Sequence, residues 1–342
     1  MAKPKLAANP PTGKSRGGAQ TATGTGISAA GPTATGRDVL GMEDMKEYLP
    51  TLLQEAIQLK AQAKRGALPP LLAGKTVLMI YEKNSTRTRV SFEVGIQRLG
   101  GIAVNLDAHS SQLSRGESIE DTAKVLARFG DCLVFRAKAH QSVVDLAQHA
   151  TVPVINALTD KEHPCQILAD WMTLLEHFGD LRGKVFTYVG DGNNMAHSYV
   201  LGAPLVGMDV RIATPKGYSC DADVVARAKE LAKEYGTKVT FTNDPNVAVK
   251  GAHAVATDTW VSMGDEAEET QRLKAFHGYT VDEAMMEQAE PGAVFLHCLP
   301  GHWGHEATYE LAHGPRSLIY DEAENRMWAQ MALVARLTAQ RA

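Results

Sequence analysis

The feature that most constrains this chain is an apolar strand-like run that turns directly into a helix start rich in hydroxyls and arginines. Thr76-Val77-Leu78-Met79-Ile80-Tyr81 has the length and apolar content of a buried strand. Glu82-Lys83-Asn84 turns the chain, and Ser85-Thr86-Arg87-Thr88-Arg89 opens a helix. Its apolar residues fall four apart, Val90 with Val94 and Phe92 with Ile96, with Leu99 three further on, before Gly100-Gly101 stop it. The hydroxyls of Ser85, Thr86 and Thr88, the free N–H groups of the first turn and the positive end of the helix dipole then converge on one spot, with Arg87 beside them. That is an anion pocket. A Ser85 that is only an N-cap, with solvated arginines, is the plainer reading, but three hydroxyls and two arginines within five residues favour the pocket.

The same rhythm extends along the chain. A helix is expected over about residues 42–65, and strands at 102–106, 132–135 and 152–156. Helices fall between them near 119–129 and 141–149, and another follows over 166–178, ended by Gly179. The rhythm restarts with a strand at 185–189, followed by strands at 210–213, 238–241, 254–257 and 293–297 and a last helix over about 322–338. Alternating strands and helices predict an α/β protein with parallel sheets covered on both faces. A length of 342 residues suits two such domains. We expect two doubly wound parallel-sheet domains joined near residues 165–182, spanning 37–172 and 173–321, with the site in the cleft between them. The C-terminal helix, 322–342, is assigned to the first.

Residues 1–36 stand apart. They are rich in Ala, Thr, Gly and Pro, contain no Asp or Glu, and carry Lys3, Lys5, Lys14 and Arg16 with little apolar mass. Such a segment cannot bury enough surface to fold and is expected to be a disordered extension. An organellar transit peptide is the competing reading, opposed by Pro4, Pro10, Pro11 and the glycines, which work against an amphipathic helix. The net charge of −4 gives no reason to expect nucleic acid, and no apolar run approaches the ~18–20 residues of a membrane span. Cys132, Cys165, Cys220 and Cys298 are scattered and read as reduced cysteines of an intracellular, cytoplasmic protein, or of an organelle matrix if residues 1–36 are a transit peptide.

In open parallel sheets ligands bind beyond the carboxyl ends of the strands. There stand Arg136, Asn156 followed by His163-Pro164-Cys165-Gln166, Gly190-Asp191-Gly192-Asn193-Asn194, Asp258 with Ser262-Met263-Gly264, and His297-Cys298-Leu299-Pro300. The pair Gly190 and Gly192 does not complete a dinucleotide fingerprint, because Met195 holds the third glycine position and no acidic residue follows the next strand. Gly74-Lys75-Thr76 precedes its strand and has Pro69 at the first glycine position, so it is no P-loop. His163 alone would be a structural histidine, Cys298 alone a small buried hydrophobe, and Asp258 alone a turn cap.

Taken in order and spacing, Ser85-Thr86-Arg87-Thr88-Arg89, Arg136, His163-Pro164-Cys165-Gln166, Asp258-Thr259-Trp260-Val261-Ser262-Met263-Gly264, His297-Cys298-Leu299-Pro300 and Glu324-Asn325-Arg326 resemble the aspartate/ornithine carbamoyltransferase family over about residues 38–340. The Asp-x-x-x-Ser-Met-Gly segment looks like the ornithine-specific branch. The resemblance implies transfer of a carbamoyl group from carbamoyl phosphate to the δ-amine of L-ornithine, giving L-citrulline and phosphate, a step of arginine biosynthesis or of a urea-cycle type. It implies that Ser85, Thr86, Arg87 and Thr88 hold the phosphate, and that Arg136 and His163 reach the carbonyl oxygen with Thr88. Gln166 and the backbone carbonyls near Cys298 and Leu299 would hold the carbamoyl NH2, and Arg326 would complete the site. Arg136, His163, Cys298 and Arg326 are its catalytic candidates. Asn194, Asp258, Ser262 and Met263 would bind ornithine, Asp258 answering the α-ammonium and Asn194 the carboxylate. Gln112 matches a residue donated to a neighbouring subunit, which implies a homotrimer. No metal or organic cofactor is implied. A sister enzyme using putrescine or N-acetylornithine, a nicotinamide oxidoreductase and a non-catalytic anion-binding regulator are the competing readings. Gly301-His302-Trp303-Gly304-His305-Glu306 has no assigned role.

Overall fold

The computed structural model describes residues 38–339 other than 84, 109–110 and 262–265. The extension expected over 1–36 and the Ser262-Met263-Gly264 loop lie outside the described residues. A short 3-10 turn, Met42–Met45, precedes α1 (Leu49–Lys64), because the chain breaks helical geometry at Tyr48 and restarts on Pro50 in the first turn. Then follow β1 (Thr76–Tyr81), α2 (Thr86–Arg98), β2 (Ile102–Asp107), α3 (Ile119–Leu126), β3 (Cys132–Arg136), α4 (His140–His149), β4 (Val154–Leu158) and α5 (Pro164–Phe178). The second half runs β5 (Val185–Val189), α6 (Asn194–Leu205), β6 (Asp209–Ala213), α7 (Ala222–Tyr235), β7 (Val239–Thr242), α8 (Pro245–Val249) and β8 (Ala254–Thr257). It ends with α9 (Glu269–Ala275), α10 (Glu283–Met286), β9 (Val294–His297), α11 (Tyr309–Ala312) and α12 (Ile319–Ala339).

The strands form two parallel sheets, ordered β2-β1-β3-β4 and β7-β6-β5-β8-β9. This is the expected two-sheet α/β architecture. The expected strand at 152–156 forms two residues later, since Pro153 has no N–H to give a ladder and pairing starts at Val154. In α2 the two four-spaced pairs part company: Phe92 and Ile96 are buried, whereas Val90 is 51 % and Val94 39 % exposed.

α5 is the seam. Every residue from Pro164 to Leu174 is buried, as a helix that is apolar nearly all round must be. Trp171 packs edge-on against Phe186 of β5, with ring centroids 4.9 Å apart, and Phe186 lies 4.5 Å from Tyr199 of α6. One apolar cluster therefore runs from α1 and β1 through α5 to β5, β6 and β8. α12 packs on α5, α1 and α2, so the last helix returns to the side of the first sheet. Lys60 of α1 fastens this corner, reaching Glu176 at 2.8 Å and Asn325 Oδ1 at 2.7 Å.

Candidate active site

Beyond the carboxyl ends of β1, β3, β4, β8 and β9 lies a cleft of about 790 Å³. Its floor is the N-terminus of α2. Ser85 caps that helix in extended backbone, its Oγ accepting from Thr88 N at 3.3 Å, so the cap and the anion pocket are the same structure. The Arg326 guanidinium comes from α12 to donate to Thr88 Oγ1. Arg87 donates to the carbonyl of Leu299 at 2.6 Å, which ties the α2 N-terminus to the loop after β9.

Arg136 ends β3, where the pairing with β4 slips: Phe135 faces Asn156 but Arg136 faces Leu158. The irregularity aims a strand-end residue into the cleft. Arg136 is 6 % exposed, and burial first, then Arg326, pushes its guanidinium down to a pKa of about 10. His163 is the N-cap of α5, with Pro164 in the first turn, and its backbone N–H donates to Ser198 Oγ at 2.8 Å. Burial, then the Arg326 and Arg136 charges, holds the imidazole pKa well below 6.5, so the ring is neutral at physiological pH. Among the described residues Arg87 Nε, Arg136 Nε, Arg326 Nε, His163 Nδ1 and Gln166 Oε1 are buried without hydrogen-bond partners. The three arginine Nε–H donors fit an anionic guest, and the Gln166 Oε1 acceptor fits a guest that also carries an N–H.

The opposite wall comes from the second sheet. Asn193 caps α6 through Met195 N and Ala196 N and donates from Nδ2 to Asp258 Oδ2 at 3.3 Å. Asn194 spans to the first half, donating to Thr159 O at 2.6 Å. Asp258 follows β8 and accepts from the Cys298 thiol at 3.1 Å. Burial first, then Asp258, pushes that thiol well above its ordinary pKa of 9.0, so Cys298 is a protonated donor and not an activated nucleophile. Leu299 has φ 57°, in the left-handed region, and its N–H donates to His297 Nδ1 at 2.9 Å. His297 Nε2 in turn contacts Glu306 Oε1 at 3.3 Å, and Glu306 also accepts from His302 N, which braces the loop.

The structure thus brings Ser85, Thr86, Arg87, Thr88, Arg136, His163, Gln166, Asn194, Asp258, Cys298, Leu299 and Arg326 to one cavity. Gln112 is exposed on a 3-10 turn and does not line it, while Ser262 and Met263 are outside the described residues. His302 and His305, unassigned in sequence, line the cleft, and His305 stacks with Trp260 at 7° between planes. Sequence reasoning missed Asp170 and Glu322, which hold site residues from behind, and left Glu306, which lines the cleft, without a role. Only Asp170 left a local signal, one helical turn after Gln166.

The chain is similar to known proteins over most of its length. Residues 37–176 match the family model described as aspartate/ornithine carbamoyltransferase, carbamoyl-P binding domain, and residues 182–337 match the companion Asp/Orn binding domain. The chain is 50 % identical over 303 residues to an ornithine carbamoyltransferase of Carboxydothermus hydrogenoformans, covering 88 % of this chain and 97 % of that protein. It is likewise 50 % identical over 308 residues to that of Symbiobacterium thermophilum, covering 90 % and 99 %. Among solved structures, the ornithine carbamoyltransferase from Pyrococcus furiosus matches with a TM-score of 0.85 at 46 % identity, over 89 % of this chain and 97 % of that one.

Proposed function

The chain belongs to the aspartate/ornithine carbamoyltransferase family, and from that premise we propose that it transfers the carbamoyl group of carbamoyl phosphate to the δ-amine of L-ornithine, giving L-citrulline and phosphate. The observation that carries this reading is the shared cleft. An anion cradle with Arg87, Arg136 and Arg326 faces Asn194 and Asp258 across one cavity, with a carboxamide acceptor, Gln166, beside the cradle.

In this reading Ser85, Thr86, Arg87 and Thr88 hold the phosphate, aided by the helix dipole. Arg136, neutral His163 and the Thr88 hydroxyl donate to the carbamoyl oxygen and stabilise the charge that grows there as the amine attacks. Gln166 Oε1 and the Leu299 region accept from the carbamoyl NH2. Asp258 receives the α-ammonium of ornithine, Asn194 its carboxylate, and Ser262 and Met263 are the further ornithine-binding residues of this reading. The δ-ammonium loses one proton to solvent before it attacks; as the intermediate collapses, the C–O bond to phosphate breaks and the second proton of the attacking nitrogen passes to the departing phosphate. Arg136, His163, Arg326 and the Cys298 thiol serve as donors and positioning groups throughout.

Residues 37–172 with the C-terminal helix form the carbamoyl phosphate half of this scheme and 173–321 the ornithine half. Exposed Val90 and Val94 on α2, together with Ile102 and Val104 on edge strand β2, support a homotrimer in which Gln112 reaches a neighbour's cleft. Scattered cysteines, mostly buried, fit a reducing cytoplasm, where the reaction would serve arginine biosynthesis. Among the described residues no helix is long and apolar enough to cross a membrane.

The test offers carbamoyl phosphate separately with ornithine, putrescine, N-acetylornithine and aspartate and scores ureido product. Citrulline from ornithine is expected, and no product with ornithine would sink the reading. Light scattering of the purified protein checks the trimer.

A further inference from the structure

Gln166 is held in place by two carboxyl groups that do not themselves line the cleft. Its Nε2 donates to Asp170 Oδ1 at 2.9 Å and to Glu322 Oε1 at 2.7 Å. The other oxygens of that pair are also occupied. The Tyr199 hydroxyl donates to Asp170 Oδ2 at 2.6 Å, and the backbone N–H of His297 donates to Glu322 Oε2 at 2.9 Å. Both carboxyls are buried from water. Burial comes first in raising both pKa values, and their mutual contact raises Glu322 further.

A primary amide has two N–H donors, and both are consumed here. Turning the amide over would set Oε1 against two carboxyl oxygens, one of Asp170 and one of Glu322. It would also strip a donor from Asp170 and leave two N–H groups facing the cavity, a poor exchange in so dry a place. The orientation is therefore fixed from behind. What Gln166 presents to the cleft is its carbonyl Oε1, buried and unpartnered among the described residues.

We propose that the Asp170–Glu322 pair is a positioning device that makes this cleft select a donor whose acyl group carries an N–H, the NH2 of a carbamoyl phosphate, over the isosteric methyl of an acyl phosphate. The inference rests on the carbamoyl phosphate reading of the cleft. Neither carboxyl touches the reacting atoms; both act through Gln166. Acetyl phosphate shares the phosphate and the carbonyl and differs only in the group that faces Gln166 Oε1. A site built to receive a hydrogen-bond donor rejects the analogue that lacks it, because the buried acceptor is then left unpaired.

The experiment measures KM for carbamoyl phosphate and the competitive Ki of acetyl phosphate, at saturating ornithine, in the wild type, Asp170→Asn and Glu322→Gln. The wild type is expected to prefer carbamoyl phosphate by about tenfold or more. Each variant replaces one of two acceptor oxygens by an NH2, so that Gln166 Nε2 competes for the remaining oxygen with the Tyr199 hydroxyl or the His297 N–H, and is expected to reduce that preference by about fivefold through KM, with the acetyl phosphate Ki within about twofold of wild type. Equal weakening of both ligands, or an unchanged preference, overturns the proposal in favour of plain structural support. Should neither variant fold, neutron diffraction from deuterated wild-type crystals decides: two deuterons on Gln166 Nε2 directed at the carboxyls support it, and an amide oxygen in that position refutes it. A wild type that makes no citrulline would instead remove the transferase reading, so the two failures are distinguishable.

Discussion

Replacing Arg136 with methionine should cost activity and yet stabilise the ligand-free protein. The guanidinium is buried, its Nε has no partner among the described residues, and Arg326 and Arg87 are close enough to act on it as like charges. Burial first, then Arg326, lowers its pKa from 12.5 to about 10, a fall that corresponds to roughly 3 kcal/mol. A base whose pKa is lowered in the folded state destabilises that state at every pH below the lowered value, so the cost is constant from pH 6 to 8. Methionine removes the charge and keeps much of the aliphatic bulk. Imperfect filling of the space returns only part of the cost, so we expect a gain of about 1–2 kcal/mol, or an apparent melting temperature higher by ~2–5 °C. Activity should move the other way, with kcat/KM down by ~10²–10³ as a donor to the carbamoyl oxygen is lost. Calorimetry with and without inorganic phosphate, beside a citrulline assay, tests both halves. Phosphate should raise the wild-type melting temperature by mass action and raise that of Arg136→Met much less. A ligand-free variant that melts at or below the wild-type temperature, or one with an undiminished phosphate shift, would refute the argument.

The remaining expectations concern the same cleft. At subsaturating ornithine the rate should climb from neutral to mildly alkaline pH as the δ-ammonium loses its proton. Three groups of the site lie outside that window: burial holds His163 well below 6.5, burial and Asp258 hold the Cys298 thiol well above 9.0, and Arg136 keeps its charge up to about 10. A flat profile from pH 6 to 9 would count against the mechanism. Arg87→Ala should cut use of carbamoyl phosphate by ~10²-fold, because Arg87 both faces the cradle and holds the Leu299 carbonyl, whereas Ser91→Ala should stay within about threefold. Ser91 instead donates to Gln330 of α12 at 2.7 Å, and equal losses would mean the pocket is misplaced. Glu162 is buried beside the 3-10 turn and accepts from Met42 N at 2.9 Å, and burial pushes its pKa up to about 8. An acid with a raised folded pKa loses stability as pH rises from its ordinary value of 4.5 to about 8 and no further. Wild-type thermal stability should therefore fall across that range relative to Glu162→Gln, and parallel curves for the two proteins would refute the assignment.

Much of the site is legible in sequence because it is built from local chemistry at strand ends. β1 and the capped start of α2 lie within 26 residues, and apolar spacing, a serine and clustered arginines are enough to identify a strand, a turn and a helix N-terminus. β5 and β8 are likewise readable as short apolar runs that end in Gly190-Asp191 and Asp258. Residue patterns do not carry the choice of partner. Val90 with Val94 and Phe92 with Ile96 have the same spacing, and only the packing of α12 on α2, with Met327 and Met331 against Gly95, decides which pair is buried. Arg136 is a strand-end arginine in sequence, but its aim depends on a register slip against β4. Gln166 shows the division most plainly. Its link to Asp170 is one helical turn and is written in the chain, while its link to Glu322 joins residues 156 apart. Hydrogen bonds reach about 3 Å and buried charges act only on what is packed around them. The sequence therefore determined which chemical groups this protein carries and which local elements hold them. The return of α12 to the first sheet decided which atoms of those groups face the substrate.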